Sequence, residues 1–210
     1  MPHIHLMPQY SPEWWTARRG FPSASAFDRI LTPTGKLSAS ASGYIQELIA
    51  DRCSLSPNFF TERPMSRDMA NGLNMEPEAR RWYAMERPEA RIQEVGGVVS
   101  DCGRFWCSPD ALVDEDGVLE LKCPKLSTQV GYLMEGTLPA EYRPQVHGHL
   151  VVTGRKWCEF CSYAPGLAGF LVRVEPDDYT AKLRIALDDF YTAYHAAIRR
   201  VAPHLLEQPT

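Results

Sequence analysis

The chain has 210 residues, of which 44% are hydrophobic and 23% charged, a balance that fits one globular domain, residues 1–210, with a real core. No run of about 20 apolar residues is present, so a membrane span is not expected. The opening MPHIHLMPQYSPEWW lacks the basic segment and apolar run of a secretory signal, so a cytoplasmic location is expected. A formal net charge of −4 argues against a protein that coats nucleic acid by neutralising phosphates. It leaves room for an enzyme whose carboxylates await a cation.

In chain order, Ser11-Pro12-Glu13 reads as a helix start, with a short helix through Arg18 that stops at Gly20. Ser23 or Ser25 can cap a second helix over Ala26 to Leu31, and Thr32 to Ser38 is a loop. Residues 41–53 carry the apolar spacing of a helix, 54–67 read as loop, and a helix follows from Ser66 to Glu86 despite Gly72 and Pro77. The texture then changes to three β-rich runs, RIQEVGGVVS, RFWCSPDALVD and VLELKCP, with a hairpin turn at Glu115-Asp116-Gly117. Residues 125–153 are helical with a break near Gly136 and Pro139. KWCEFCSYA and GFLVRVEP form a strand pair around Pro165-Gly166. Asp177 to Val201 is an amphipathic helix whose inner face takes Tyr179, Leu183, Ile185 or Ala186, Phe190, Tyr194 and Ile198. This order predicts an α/β or α+β domain with a mixed central β-sheet flanked by helices.

Six cysteines stand at positions 53, 102, 107, 123, 158 and 161, and free thiols are expected. The pair Cys158 and Cys161, with Cys102 and Cys107, would be the material of a zinc site. The run KWCEFCSYA reads as a strand, however, and residues three apart on a strand face opposite ways.

The stretch that carries chemistry is Ser108-Pro109-Asp110, then nine residues, then Glu120-Leu121-Lys122. On a strand, Glu120 and Lys122 share one face while Leu121 points to the other. The turn at Asp116-Gly117 folds Asp110 back towards Glu120. Two carboxylates and an ammonium then meet at one end of a sheet, a hard-oxygen set suited to magnesium or manganese. Such a site serves phosphodiester hydrolysis: the ion acts on the phosphate and a water, and the lysine orients that water or neutralises charge. A charged exposed hairpin is the plainer reading of the same residues. The apolar setting VLELKCP tells against it, because charges near a core need partners. Glu76, in an upstream helix, can complete a metal shell. His147 and His149 lie two apart on a helix and do not face each other, so a metal pair between them is not expected.

SPDAL followed by ELKCP resembles the PD-(D/E)xK core of the lambda exonuclease family, the YqaJ-type viral recombinases. EWWTARRGFPSASAF, NGLNMEPEAR, YRPQVHGHLVVTG and WCEFCSYAP are similar, in the same order, to that family's further motifs. The resemblance implies a restriction-endonuclease-like core. It implies that Asp110, Glu120 and the Leu121 carbonyl ligate one or two magnesium ions, with manganese able to substitute. It implies that Lys122 activates water, that Glu76 supports the metal through water, and that Gln145 lies beside them. Arg18, Ser25, Ser108 and Gln145 would hold a terminal or scissile phosphate, as guanidinium forks and hydroxyls can. Met69 falls where the family splits the terminal base pairs, and Lys36 is a candidate second cation of the 5′-phosphate pocket. The implied activity is a 5′→3′ exonuclease on double-stranded DNA ends that leaves 3′ overhangs. It would act as a ring-shaped homotrimer, with a single-strand annealing protein as partner, in phage-type recombination. Without the resemblance, Arg18 is a solvated helix end, Ser25 a cap and Gln145 one polar residue of an amphipathic helix. Two alternatives stay open: an endonuclease on the same core, and a non-enzymatic zinc module at Cys158 and Cys161.

Overall fold

The structure is a computed structural model that describes residues 1–54 and 67–206, with residues 67–73 described in backbone only. Strand β1 (His3–His5) leads into helix α1 (Pro12–Arg18), a 3-10 helix over Ala24–Arg29, and helices α2 (Ala41–Cys53) and α3 (Arg67–Glu86). Strands β2 (Ile92–Gln93), β3 (Gly97–Val99), β4 (Trp106–Cys107), β5 (Ala111–Val113) and β6 (Gly117–Lys122) follow. Helix α4 (Leu126–Glu135), a short 3-10 turn and helix α5 (Arg143–Thr153) lead to strands β7 (Trp157–Ser162) and β8 (Phe170–Val174). Helix α6 (Asp178–Val201) and a last 3-10 turn complete the order.

The predicted helices over 41–53 and 177–201 match α2 and α6 closely, and Pro77 is accommodated inside α3. The helix expected over Ala26 to Leu31 is a 3-10 helix that starts two residues earlier. Ser23 stands at its N-cap without capping it, because its hydroxyl is taken by Arg18. Of the alternatives at the α6 face, Ala186 is buried and Ile185 is exposed. The loop expected at 54–67 lies almost wholly outside the described residues.

The three expected β-runs become five strands in two sheets. A three-stranded sheet has the order β1-β3-β4, and a five-stranded sheet has the order β2-β5-β6-β7-β8. All pairs in the larger sheet are antiparallel except β6 with β7. That parallel pair is joined by the long helical crossover that parallel strands require. The chain changes sheets at Glu94–Gly96 on the way in and at Ser108–Asp110 on the way out. Pro109 has no N–H for a ladder there. The Gln9 side-chain amide donates to Val95 O at 3.2 Å and to Pro109 O at 3.0 Å, taking up carbonyls freed at the corner. The sheet corner thus sits beside Asp110.

The larger sheet is covered on both faces. Val118, Leu112, Cys158 and Phe160 belong to the main core with α2, α5 and α6. Leu119, Leu121, Ala111, Val113 and Cys161 form a smaller core with Ala79 and Tyr83 of α3. Cys158 and Cys161 therefore lie on opposite faces of β7 in separate cores, which corrects the zinc alternative: no shared ligand geometry exists between them. All six cysteines are free thiols.

Candidate active site

The β5–β6 hairpin brings the predicted carboxylates together by a specific device. The ladder between these strands runs from Val113–Gly117 to Ala111–Leu119, and the Asp110 N–H still reaches Leu119 O at 3.0 Å. One step further the backbone ladder ends, and the Asp110 side chain replaces it: Oδ2 accepts from the Leu121 N–H at 2.6 Å. A residue's N–H and C=O point to the same side of a strand. The Leu121 carbonyl therefore faces the Asp110 side, where the resemblance places a metal ligand. Arg80 of α3 fixes the same corner by donating to the Asp110 carbonyl at 2.6 Å.

Glu120 is 2% exposed, on the main-core face of β6. Its Oε1 accepts from Lys122 Nζ at 2.5 Å and from Gln145 Nε2 at 2.6 Å. Its Oε2 lies 2.7 Å from His149 Nε2. Gln145 and His149 are one turn apart on α5, so one helix face reaches both carboxylate oxygens. The same helix packs tightly on the 3-10 helix at Gly148, where a Cβ would stand 2.7 Å from the Phe27 ring and 3.0 Å from Ala24. The role of His149 was not foreseen. The two histidines do not face each other, as expected: His147 Nδ1 bonds Thr180 of α6 at 2.8 Å, and His149 faces Glu120.

Burial alone would raise the Glu120 carboxyl, but Lys122 and then His149 hold it well below the usual carboxylate range. Burial and then the Glu120 charge push Asp110 up. Burial works against the Lys122 ammonium, but the charge of Glu120 and then of Asp110 outweighs it and raises its pKa. Glu76 is half-buried and raised by burial, and its charge is felt at Asp110. Two enclosed carboxylates with one ammonium leave the corner short of positive charge. Among the described residues no three acidic, histidine or cysteine side chains close into a ready-made metal cage. The donors are instead two carboxylates and a main-chain oxygen. This open hard-oxygen set fits a cation such as magnesium, which keeps several waters.

The expected phosphate residues fall into a second group. Arg18 Nη2 donates to Ser23 Oγ at 2.9 Å and to Ser25 Oγ at 3.2 Å. The Arg18 guanidinium lies over the Trp14 ring, 4.9 Å from its centroid, and Trp14 Nε1 donates to Ser108 Oγ at 3.1 Å. Trp106 Nε1 also donates to Ser108 Oγ, at 2.7 Å. The single Trp14 N–H lies closer to Gly96 O, at 2.6 Å, so Trp106 is the nearer donor to that hydroxyl, whose own O–H stays a donor. Ser25 is exposed and Gln145 is on Glu120, so the four predicted residues form two subsites. Lys36 is exposed in its turn, and its backbone, not its side chain, bonds Thr32. Met69 lies on α3 among residues whose side chains are outside the described set.

Tyr10 was not foreseen. It is a non-glycine residue at φ +65°, half exposed, with its ring 5.3 Å from that of Trp14. Burial and then the charges of Glu76 and Asp110 raise its pKa, while Lys122 and Arg18 lower it. It lines a cleft of about 370 Å³ with Gln9, Glu76, Arg80, Glu94 and Asp110, which opens onto the carboxylate corner. Tyr10 therefore stands between the cationic and acidic subsites.

A family model described as the YqaJ-like viral recombinase domain matches residues 13–156. The chain belongs to the YqaJ-like viral recombinase family. Its fold is similar to that of an alkaline exonuclease (LHK-Exo) from Laribacter hongkongensis, with a TM-score of 0.78 and 29% identity over 94% of this chain and 99% of that one. The same enzyme in complex with dAMP matches with a TM-score of 0.79 and 30% identity, again over 94% of this chain and 99% of that one. A phage related exonuclease from Haemophilus somnus 129PT shares the fold at a TM-score of 0.64 and 12% identity, over 87% of this chain and 96% of that one. No curated protein matches the sequence. The YqaJ-type chain is thus a nuclease of the alkaline exonuclease group, with the mixed α/β core expected from its sequence. No helix among the described residues is long and apolar enough to cross a membrane.

Proposed function

We propose that residues 1–210 act as one magnesium-dependent domain that degrades the 5′-ended strand from double-stranded DNA ends and leaves 3′ overhangs. The observation that carries this reading is the corner where Asp110 caps β6 at Leu121, with Glu120 and Lys122 beside it. Asp110, Glu120 and the Leu121 carbonyl would hold the ion, with Glu76 supporting it through water. When bound, magnesium supplies Lewis acidity towards the phosphate and acidifies water. Lys122 orients the attacking water and offsets charge on the phosphate. Arg18, Ser25 and the Ser108 O–H receive phosphate oxygens, and Gln145 keeps Glu120 in place until the substrate arrives. Manganese would replace magnesium, and one or two ions would bind.

The solved Laribacter enzyme binds dAMP, a nucleoside monophosphate of the kind an exonuclease releases, which supports a terminal-nucleotide site in this fold. The net charge of −4 suits a homotrimeric ring that keeps DNA by threading rather than by strong attraction. A single-strand annealing protein would take up the exposed strand in the cytoplasm of a bacterial host.

The test is digestion of linear duplex bearing a 5′-phosphate or a 5′-hydroxyl, each in magnesium or EDTA. The expected result is magnesium-dependent loss of the 5′-phosphorylated strand, with supercoiled plasmid untouched. Cleavage of the closed circle would replace this reading with the endonuclease one. Full digestion in EDTA would remove the metal chemistry.

A further inference from the structure

The two oxygens of Glu120 are held by groups of different kinds. Oε1 takes Lys122 and Gln145, both half-buried and both on long, rotatable side chains. Among the described residues Oε2 takes only His149, which is 1% exposed and sits on α5, the helix that packs against the 3-10 helix at Gly148. A carboxylate accepts only, so His149 Nε2 carries the proton in this contact. The other ring nitrogen, Nδ1, is buried with no hydrogen-bond partner among the described residues. An orphaned buried nitrogen costs stability and calls for an explanation. A histidine kept only for packing has no need of it, since an apolar side chain of similar size fills the same space.

Resting on the metal reading above, we propose that His149 is a positioning residue that pins Glu120 through Oε2 and so aims Oε1 at the divalent cation. Lys122 and Gln145 can yield Oε1 when the ion enters, whereas the enclosed imidazole keeps its hold on Oε2. Hydrogen bonds from such outer partners fix the orientation of a ligating carboxylate, and their loss costs about 10–100-fold in metal affinity or activity. The role needs a donor at the Nε2 position and not an imidazole as such.

The experiment is direct titration of the full chain with Mn²⁺ by electron paramagnetic resonance, beside kcat on linear duplex. His149→Leu removes the donor. His149→Gln places an amide N–H near the Nε2 position, and His149→Asn carries the same amide too short to reach. We expect His149→Leu and His149→Asn to bind Mn²⁺ about 10–100-fold more weakly, with activity recovering as Mn²⁺ is raised. His149→Gln should bind close to the native protein. Should His149→Leu fail to fold, the Gln and Asn pair decides alone, because both lose the ring equally. Native-like Mn²⁺ affinity in His149→Asn, or an equal defect in His149→Gln, overturns the proposal. Absence of Mn²⁺ binding by the native protein, together with metal-free activity, overturns the reading beneath it instead.

Discussion

Two glutamates occupy the middle of the larger sheet on adjacent strands, each 2% exposed, and they do different things. Glu159 of β7 pairs in register with Leu119 of β6, so it shares that residue's face, and Glu120 takes the other. Glu159 accepts two bonds from the Arg87 fork, at 2.6 and 3.2 Å, and one from Tyr83 at 2.7 Å. This is a closed set: a planar guanidinium matched to a carboxylate, both ends belonging to the protein, tying the end of α3 to the sheet. Glu120 is held by an ammonium, an amide and an imidazole, each through one point. Such contacts can be exchanged one at a time, and Asp110 stands close enough for its charge to compete. Burial alone does not mark a functional carboxylate. The partners do: a bidentate arginine makes a lock, whereas single donors with a second acid nearby make a seat for something absent.

That contrast is broken most directly at Lys122. Lys122→Ala should lower kcat by about 10²–10³-fold, the cost of losing one preorganised donor, and it should also lower the thermal midpoint, because the buried Glu120 charge loses its cation and keeps only Gln145 and His149. Single-turnover digestion of 5′-phosphorylated duplex measures it, and an unchanged rate would refute the role given to the lysine. The mirror experiment is Glu159→Ala. It strands the Tyr83 hydroxyl and the Arg87 charge, and should cost about 3 kcal/mol of stability, at the low end for a broken buried pair because Arg87 is partly exposed. Urea unfolding measures the loss, and the folded fraction should keep its kcat. A catalytic defect without a stability defect would place Glu159 on the wrong side of the comparison.

How far the sequence reached can be seen at these same residues. The period of two on β6 put Glu120 and Lys122 on one face and Leu121 on the other, and a turn at Asp116-Gly117 was enough to bring Asp110 near. The change of sheet at Ser108–Asp110 was only partly legible: Ser-Pro marks Asp110 as a strand entrance, but nothing in the β-rich runs RIQEVGGVVS and RFWCSPDALVD says that the two halves of each join different sheets. Both corners are met by a long-range contact, the Gln9 amide on the carbonyls of Val95 and Pro109, 86 and 100 residues away along the chain. Strand β1 carries no alternating apolar pattern and exists because it pairs with β3. His149 and Arg87 were opaque for the same reason: helical spacing gives the face a residue shares with its own helix, and not the strand residue it meets. Tyr10 at φ +65° is a choice of backbone region that tyrosine disfavours, so no local rule could announce it.

The remaining tests sharpen the comparison by acting on the supports of α5 and α6 rather than on the acids. Gly148→Ala places a methyl 2.7 Å from the Phe27 ring and 3.0 Å from Ala24. Overpacking of this kind costs about 1–3 kcal/mol. Because the same helix presents Gln145 and His149 to Glu120, Mn²⁺ affinity should fall with it, whereas the Glu159 lock on the other face should be untouched. A variant that loses stability but keeps native Mn²⁺ binding would separate the packing of α5 from the clamp.

The smallest expected effect is at the start of α6, where Asp177 and Thr180 form a capping box, with the Thr180 N–H donating to Asp177 Oδ1 at 3.0 Å. The Asp177 carboxyl lies below its ordinary range: partial burial works against this, but the Thr180 N–H, His147 and Arg143 prevail. Asp177→Ala should cost about 1 kcal/mol by loss of the cap. Asp177 Oδ1 also lies 3.6 Å from His147 Nδ1, so the His147 ring loses a neighbour at the start of α6 as well. Since His147 faces α6 and not Glu120, kcat on linear duplex should stay native while the urea midpoint falls. A drop in kcat with no change in midpoint would mean that the two histidines of α5 are not divided between packing and chemistry as their contacts divide them.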